Sequence, residues 1–106
     1  MSQEPSWNHA EVFPILARLV DSSSCQQPRW LTGSEIAAAL LADAAGRALL
    51  ETARDEHRAG HSLEWYASHV VAWFDRQLAE GTSAWSRGFE RRRIDGVWAY
   101  RPGHHG

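Results

Sequence analysis

The feature that most constrains the fold of this sequence is the pair Asp95-Gly96, which separates the β-prone runs Phe-Glu-Arg-Arg-Arg-Ile and Val-Trp-Ala-Tyr-Arg. Asp-Gly suits a type I′ turn, because that turn requires positive φ at both central residues. A two-residue turn also predicts the register, in which residues pair outward from Ile94 and Val97. The sequence therefore predicts a C-terminal β-hairpin.

Strand alternation divides the side chains of this hairpin between two faces. One face is predicted to carry two arginines and three aromatic residues: Arg91, Arg93, Phe89, Trp98 and Tyr100. The other face carries Arg92 and Arg101 with Glu90. Either orientation leaves arginine outward near the turn, as contact with a phosphate backbone requires. The alternative is a solvated hairpin whose charges discourage edge-to-edge pairing.

A long amphipathic helix is predicted over residues 62–80, with Ser62 as N-cap and Gly81 as its stop. Its apolar side chains fall on one side of a 3.6-residue wheel: Leu63, Tyr66, Ala67, Val70, Val71, Phe74 and Leu78. The opposite face presents Trp65, Ser68, His69, Ala72 and Arg76, with Trp73 at its margin. Two tryptophans near the outer side of a helix favour a contact surface over simple solvation.

Shorter elements are predicted before this helix. A first helix is expected to end near Asp21, and it begins either at Asn8 with a kink at Pro14 or at about residue 13 with Pro14 in its first turn. Residues 22–28 are predicted as a loop and residues 29–31 as a short strand. The expected core of the domain consists of Leu16, Leu19, Ile36, Leu40, Leu49, Leu63, Val70, Phe74, Leu78 and part of the Phe89/Trp98 face.

A second helix is predicted to start at a capping box, in which the Thr32 hydroxyl bonds the Glu35 amide and the Glu35 side chain bonds back to Thr32. The segment Leu-Thr-Gly-Ser-Glu-Ile-Ala-Ala-Ala-Leu at residues 31–40 resembles the first helix of the helix-turn-helix in winged-helix regulators. The resemblance departs from the family at residues 43–61, which have a helical pattern of their own and Gly60 as a stop. This segment is either an inserted helix or a sign that the helix count is shifted by one.

The resemblance implies a mainly α (α+β) winged helix-turn-helix of three to four helices with a C-terminal β-hairpin wing. It also implies binding to double-stranded DNA, as a small transcriptional regulator or a DNA-recognition component. The expected DNA-binding residues are Trp65, Ser68, His69, Arg76, Arg91, Arg92 and Arg93. A homodimer on paired half-sites is expected, because one such module buries little surface. The alternative is a winged-helix protein-interaction module that docks through Trp65 and Trp73.

The charge distribution supports an anionic partner for the hairpin. Five arginines against two acidic residues give residues 81–106 a net charge of +3, whereas the remaining residues, with six arginines and eleven acids, carry −5. The net charge of −2 argues against a protein that coats nucleic acid without selection.

No arrangement typical of catalysis appears, so an enzyme is not expected, nor is a cofactor or a metal. His57 and His61 have the spacing of a helical metal pair, but Gly60 separates them. No third ligand follows at a spacing typical of a metal site. The 106 residues predict a single domain in the cytoplasm, with no membrane contact, a single incidental cysteine, and flexible ends at residues 1–7 and 102–106.

Overall fold

Helices and a small antiparallel sheet build the part of the chain that the computed structural model describes, which is residues 7–24, 30–81, 84 and 88–102. The elements in chain order are α1 (His9–Ser24), β1 (Leu31–Thr32), α2 (Gly33–Ala42), α3 (Ala44–His57), α4 (Leu63–Glu80), β2 (Phe89–Ile94) and β3 (Val97–Pro102). The predicted α+β class with a C-terminal hairpin is confirmed. None of the described helices is both long and apolar enough to cross a membrane.

The hairpin forms in the predicted register, with Ile94 opposite Val97 and Glu90 opposite Arg101. Asp95 and Gly96 have φ values of 50° and 80°, the left-handed conformation that the turn requires. The short β1 pairs antiparallel with β3, so the sheet order is β1-β3-β2. The strand predicted at residues 29–31 overlaps the observed β1 only at Leu31, since Trp30 precedes the strand and Arg29 is outside the described residues.

The first helix begins at the earlier of its two predicted starts, directly after Asn8. The Asn8 side chain accepts a hydrogen bond of 2.8 Å from the amide of Ala10, and Pro14 lies inside the helix. The helix continues to Ser24, so the loop prediction was wrong for residues 22–24. Serine's weak preference for turns is overridden here because buried Leu19 and Val20 fix the preceding turn against the core. Residues 25–28, including Cys25, lie outside the described part.

The predicted capping box at the start of α2 is confirmed, since the Thr32 hydroxyl accepts from the Glu35 amide and the Glu35 carboxylate accepts from the Thr32 amide. Asp43 then ends α2 and starts α3, because its side chain accepts a hydrogen bond of 2.8 Å from the amide of Gly46. A bidentate ion pair from Arg18 joins α1 to this corner at 2.9 and 2.7 Å. Hydrogen bonds from Arg18 and from the Gly46 amide lower the pKa of Asp43 to about 2.

The helical pattern after Asp43 is thus a separate helix, α3, which continues directly from α2. It ends at His57, where Arg58 adopts a left-handed conformation with φ of 57°. Gly60, the predicted stop, lies beyond this cap with φ of 74°. The structure therefore has four helices before the hairpin within the residues that it describes.

The core lies between the four helices and the inner face of the sheet. Of the predicted core residues, Leu16, Leu19, Ile36, Leu40, Leu63, Val70 and Phe74 are buried, whereas Leu49, Leu78, Phe89 and Trp98 are partly buried. The prediction missed Phe13, whose ring contacts those of Trp73, Phe74 and Phe89 with centroids 5.4–5.7 Å apart. At the predicted flexible ends, Trp7 packs against the core and Pro102 is the last residue of β3.

The close approach of α2 and α3 at Gly46 gives a test of this packing. A Cβ at Gly46 would lie 2.7 Å from the Leu40 carbonyl oxygen, closer than real Cβ atoms come. We expect Gly46→Ala to lower the free energy of unfolding by about 1–3 kcal/mol, although alanine is the better helix former by about 1 kcal/mol. Urea denaturation measures the change.

The matched control is Ala45→Gly at the exposed neighbouring position, where only the helix propensity changes, by about 0.5–1 kcal/mol. A Gly46→Ala variant as stable as the parent would contradict the close approach of the two helices.

Candidate nucleic-acid interface

The outer face of α4 is the first part of the candidate interface. Ser68, Ala72 and Arg76 are exposed along it, and Trp65 and His69 are partly buried at its N-terminal end. Small side chains at the centre of this face allow a partner to approach the helix backbone closely. The predicted division of α4 into a buried stripe and an outer face is therefore confirmed.

Aromatic and imidazole rings stack at the N-terminal end of this face. The Trp65 indole lies between His61 and His69, with centroid distances of 3.9 and 3.6 Å and interplanar angles of 13° and 22°. The Nδ1 atom of His69 is 2.8 Å from the Trp65 carbonyl oxygen, which orients its ring. We call His61, Trp65 and His69 the ring stack. The four-residue spacing of these rings is visible in the sequence, but the prediction left His61 out.

The Trp73 side chain packs within the fold, against α1. Its ring contacts His9 and Phe13 of α1 at centroid distances of 4.9 and 5.6 Å, and His9 Nε2 lies 2.8 Å from the Gln77 side-chain oxygen. Among the described residues, Val97 in the hairpin, with 50% of its surface accessible, is the one large apolar side chain that is exposed. The two tryptophans of α4 thus form no exposed apolar patch within this part of the chain.

The hairpin is joined to α4 through Asp75. Arg91 donates from Nε to Asp75 Oδ1 at 2.8 Å and from Nη2 to Oδ2 at 3.2 Å, and the Tyr100 hydroxyl also donates to Oδ1. Asp75 follows Ala72 by one turn, so the hairpin meets α4 at the margin of its outer face. The arginine on the inner side of the predicted wing is therefore held within the fold.

Burial and ionic contact have opposite effects on the pKa of Asp75 at this junction. Burial raises the pKa of Asp75, but the hydrogen bonds from Arg91 and Tyr100 and the charge of Arg91 bring it below its usual value. The hydrogen bond to Asp75 raises the pKa of Arg91. Burial, together with the hydrogen bond to Asp75, raises the pKa of Tyr100. The carboxylate is therefore ionised at neutral pH and held by both donors.

Cation–π contacts stiffen the rest of the hairpin. The guanidinium carbon of Arg91 lies 3.4 Å from the centroid of Trp98, and that of Arg93 lies 5.9 Å from it. Arg101 is paired with Glu90 and lies over Trp30 at 4.5 Å. The predicted division of the side chains between the two faces of the hairpin agrees with these contacts.

Arg92 and Arg93 are the exposed cations of the hairpin. Neither forms an ion pair with any residue that the structure describes. The predicted binding residues therefore fall into three groups: two exposed arginines near the turn, one arginine bound to Asp75, and the outer face of α4. Sequence reasoning missed Asp75 and the bond that Tyr100 donates to it, since a contact between residues 25 apart leaves no periodic pattern.

Elsewhere, two adjoining cavities of about 360 Å³ each lie between α1 and α3. They share Glu11, Leu49 and Thr52, and Ile15 and Glu56 line one cavity each. Within the described residues, no group of three or more histidine, cysteine, aspartate or glutamate side chains is arranged to hold a metal ion.

Comparisons with known protein families, with curated proteins and with solved structures find nothing that matches this chain. The resemblance to winged-helix regulators therefore stays a prediction.

The junction at Asp75 predicts a pH-dependent contribution to stability. We expect Asp75→Asn to lower the free energy of unfolding at neutral pH by about 1–2 kcal/mol, because Arg91 and Tyr100 lose an ionised acceptor. The folded-state pKa of Asp75 is depressed, so this stabilisation is present above the unfolded value of about 3.9 and is lost as the pH falls through the folded value. Denaturant titrations of both proteins at neutral and acidic pH measure the difference.

Asp55→Asn is the control, because Asp55 is exposed on α3 and has no ion pair among the described residues. A stability difference between Asp75→Asn and the parent that stays constant from neutral to acidic pH would exclude an ionic role for Asp75.

Proposed function

We propose that this chain binds double-stranded DNA, with the hairpin on the phosphate backbone and the outer face of α4 in the major groove. The observation that carries the proposal is the pair of exposed arginines, Arg92 and Arg93, on a hairpin that the Asp75–Arg91 ion pair fixes beside α4. Guanidinium groups suit phosphate because they are planar, always charged and rich in donors.

Rigidity of the hairpin supports this function. A flexible arginine segment loses conformational entropy when it binds, whereas a hairpin already held by Asp75 and by the Trp98 contacts loses less. Arg91 then acts as a positioning residue, because its guanidinium is occupied by Asp75 and Trp98. Phosphate contact is assigned to Arg92 and Arg93.

The outer face of α4 supports contact with base edges. Ser68 and Ala72 are small and exposed, so the helix can enter a groove that admits an α-helix. The Ser68 hydroxyl and the Arg76 guanidinium are suitable groups for hydrogen bonds to bases or phosphates. This face is adjacent to the hairpin. Asp75 is close to Ala72 and Arg76 on α4, and its carboxylate accepts a hydrogen bond from Arg91 of the hairpin.

Docking of a protein through Trp65 and Trp73 is the weaker candidate. Both side chains pack against the core or against neighbouring rings, and the described surface offers no apolar patch around them. Interfaces that depend on tryptophan bury it in a pocket of the partner, which requires an accessible indole. The proposed role is therefore that of a small DNA-binding regulator or of a DNA-recognition component in an assembly.

Salt dependence is the test of the phosphate contacts. We expect the affinity for a labelled blunt duplex to fall steeply with salt. The double variant Arg92→Ala/Arg93→Ala should reduce the slope of log K against log salt by about 2, because each phosphate that a protein neutralises adds about 0.9 to that slope. Fluorescence anisotropy at several salt concentrations measures both quantities, and circular dichroism checks that the variant is folded.

Arg47→Ala on α3 is the control, since Arg47 is exposed, has no ion pair within the described residues and lies outside both α4 and the hairpin. DNA affinity that is unchanged in the folded double variant removes the hairpin from the mechanism. No binding to duplex even at low salt refutes the proposed function.

A further inference from the structure

We propose that the ring stack of His61, Trp65 and His69 is a platform for an unpaired nucleobase, so that the chain prefers a single-stranded segment beside a duplex. This inference rests on the proposed function, because it names the kind of nucleic acid that the same surface selects. The base is placed on the end of the stack at His61.

The geometry of the stack matches that of stacked bases. Its rings are separated by 3.9 and 3.6 Å and are inclined by only 13° and 22°, close to the rise of about 3.4 Å between successive bases. A base placed on the exposed ring of His61 would continue the same column. Stacking of this kind tolerates any base, because every base has a π-face.

The outer face of His61 is open within the described structure. The ring centroid of His57 is 5.8 Å from that of Trp65 and 6.3 Å from that of His61, so His57 stands beside the column rather than on its end. His61 itself is exposed, and its ring forms no hydrogen bond with a described residue. The end of the column is therefore accessible to a ligand.

The platform is held in place by contacts inside the fold. His57 Nδ1 lies 2.9 Å from the Tyr66 hydroxyl, and Tyr66 is fully buried. Trp65 packs edge-on against Tyr66 with centroids 4.9 Å apart. These contacts fix Trp65, the middle ring of the stack, before any ligand binds, so this ring loses little conformational entropy on binding.

Two arginines lie close in the chain to His57, whose ring contacts Trp65 of the stack. Arg58 directly follows His57, and Arg54 precedes it by nearly one helical turn. Neither arginine forms an ion pair with a residue in the described part of the chain. Guanidinium groups beside a stacking surface are the combination by which proteins hold single strands without sequence preference.

The test compares three labelled DNA probes by fluorescence anisotropy: a blunt duplex, the same duplex with a short thymidine overhang, and the same duplex with an abasic overhang of equal length. The two overhangs carry the same phosphates and differ only in their bases. We expect the parent to bind the thymidine overhang about fivefold to tenfold more tightly than the abasic one, as stacking of one base provides.

Variants locate the effect. His61→Ala should reduce the preference for the thymidine overhang to less than about twofold, whereas His61→Phe, which keeps a ring, should retain it. Thr52→Ala, at an exposed position of α3 that lines the cavities between α1 and α3, should behave as the parent. A preference that survives in His61→Ala overturns the assignment to the ring stack.

The probes also separate this inference from the proposed function. Equal affinity for the two overhangs, with the blunt duplex bound, refutes the platform and leaves duplex binding intact. A strong preference for the thymidine overhang without binding of the blunt duplex supports the platform and refutes duplex binding. No binding to any probe overturns both.

Discussion

The hydrogen-bonded junction at Asp75 is the interaction on which the arrangement of the functional surface depends. One carboxylate accepts from Arg91 in β2 and from Tyr100 in β3, so it holds both strands of the hairpin against α4. Partial burial makes these bonds stronger than they would be in water, and it makes an unpaired member costly. The direction in which the hairpin leaves the helical body is thereby fixed.

Aromatic packing completes the attachment of the hairpin. Phe89, at the start of β2, contacts Phe13 of α1 and Phe74 of α4 with ring centroids 5.7 and 4.9 Å apart. Edge-to-face pairs of this kind contribute about 0.5–1.5 kcal/mol beyond the area that they bury. The base of the hairpin is thus apolar and packed on the core, its middle is ionic and partly buried, and its end near the turn carries the exposed arginines. This gradient suits a hairpin that contacts a charged ligand with its end only.

The proposed activities depend on the arginines that have no carboxylate partner among the described residues. Arg18, Arg91 and Arg101 have carboxylate partners that join separate elements, and their role is structural. Arg92 and Arg93 in the hairpin and Arg54 and Arg58 at the C-terminal end of α3 have no such partner among the described residues. Arg92 and Arg93 follow Arg91, which binds Asp75 in the second half of α4, whereas Arg54 and Arg58 precede the start of α4 in the chain. Because the net charge of the chain is −2, the proposed binding depends on local geometry rather than on overall attraction.

Local rules determined the hairpin register, the Thr32 capping box and the buried stripe of α4, because Asp-Gly geometry, capping chemistry and helical period act over a few residues. They did not extend α1 to Ser24, where packing of the preceding turn outweighs serine's preference for turns. Nor did they show that Arg91 binds Asp75 or that His61 stacks on Trp65. The sequence by itself determined which elements form and which residues lie on each face. The tertiary structure alone decided which of the described arginines are neutralised by a carboxylate, because ion pairing depends on distances between elements that no local pattern encodes.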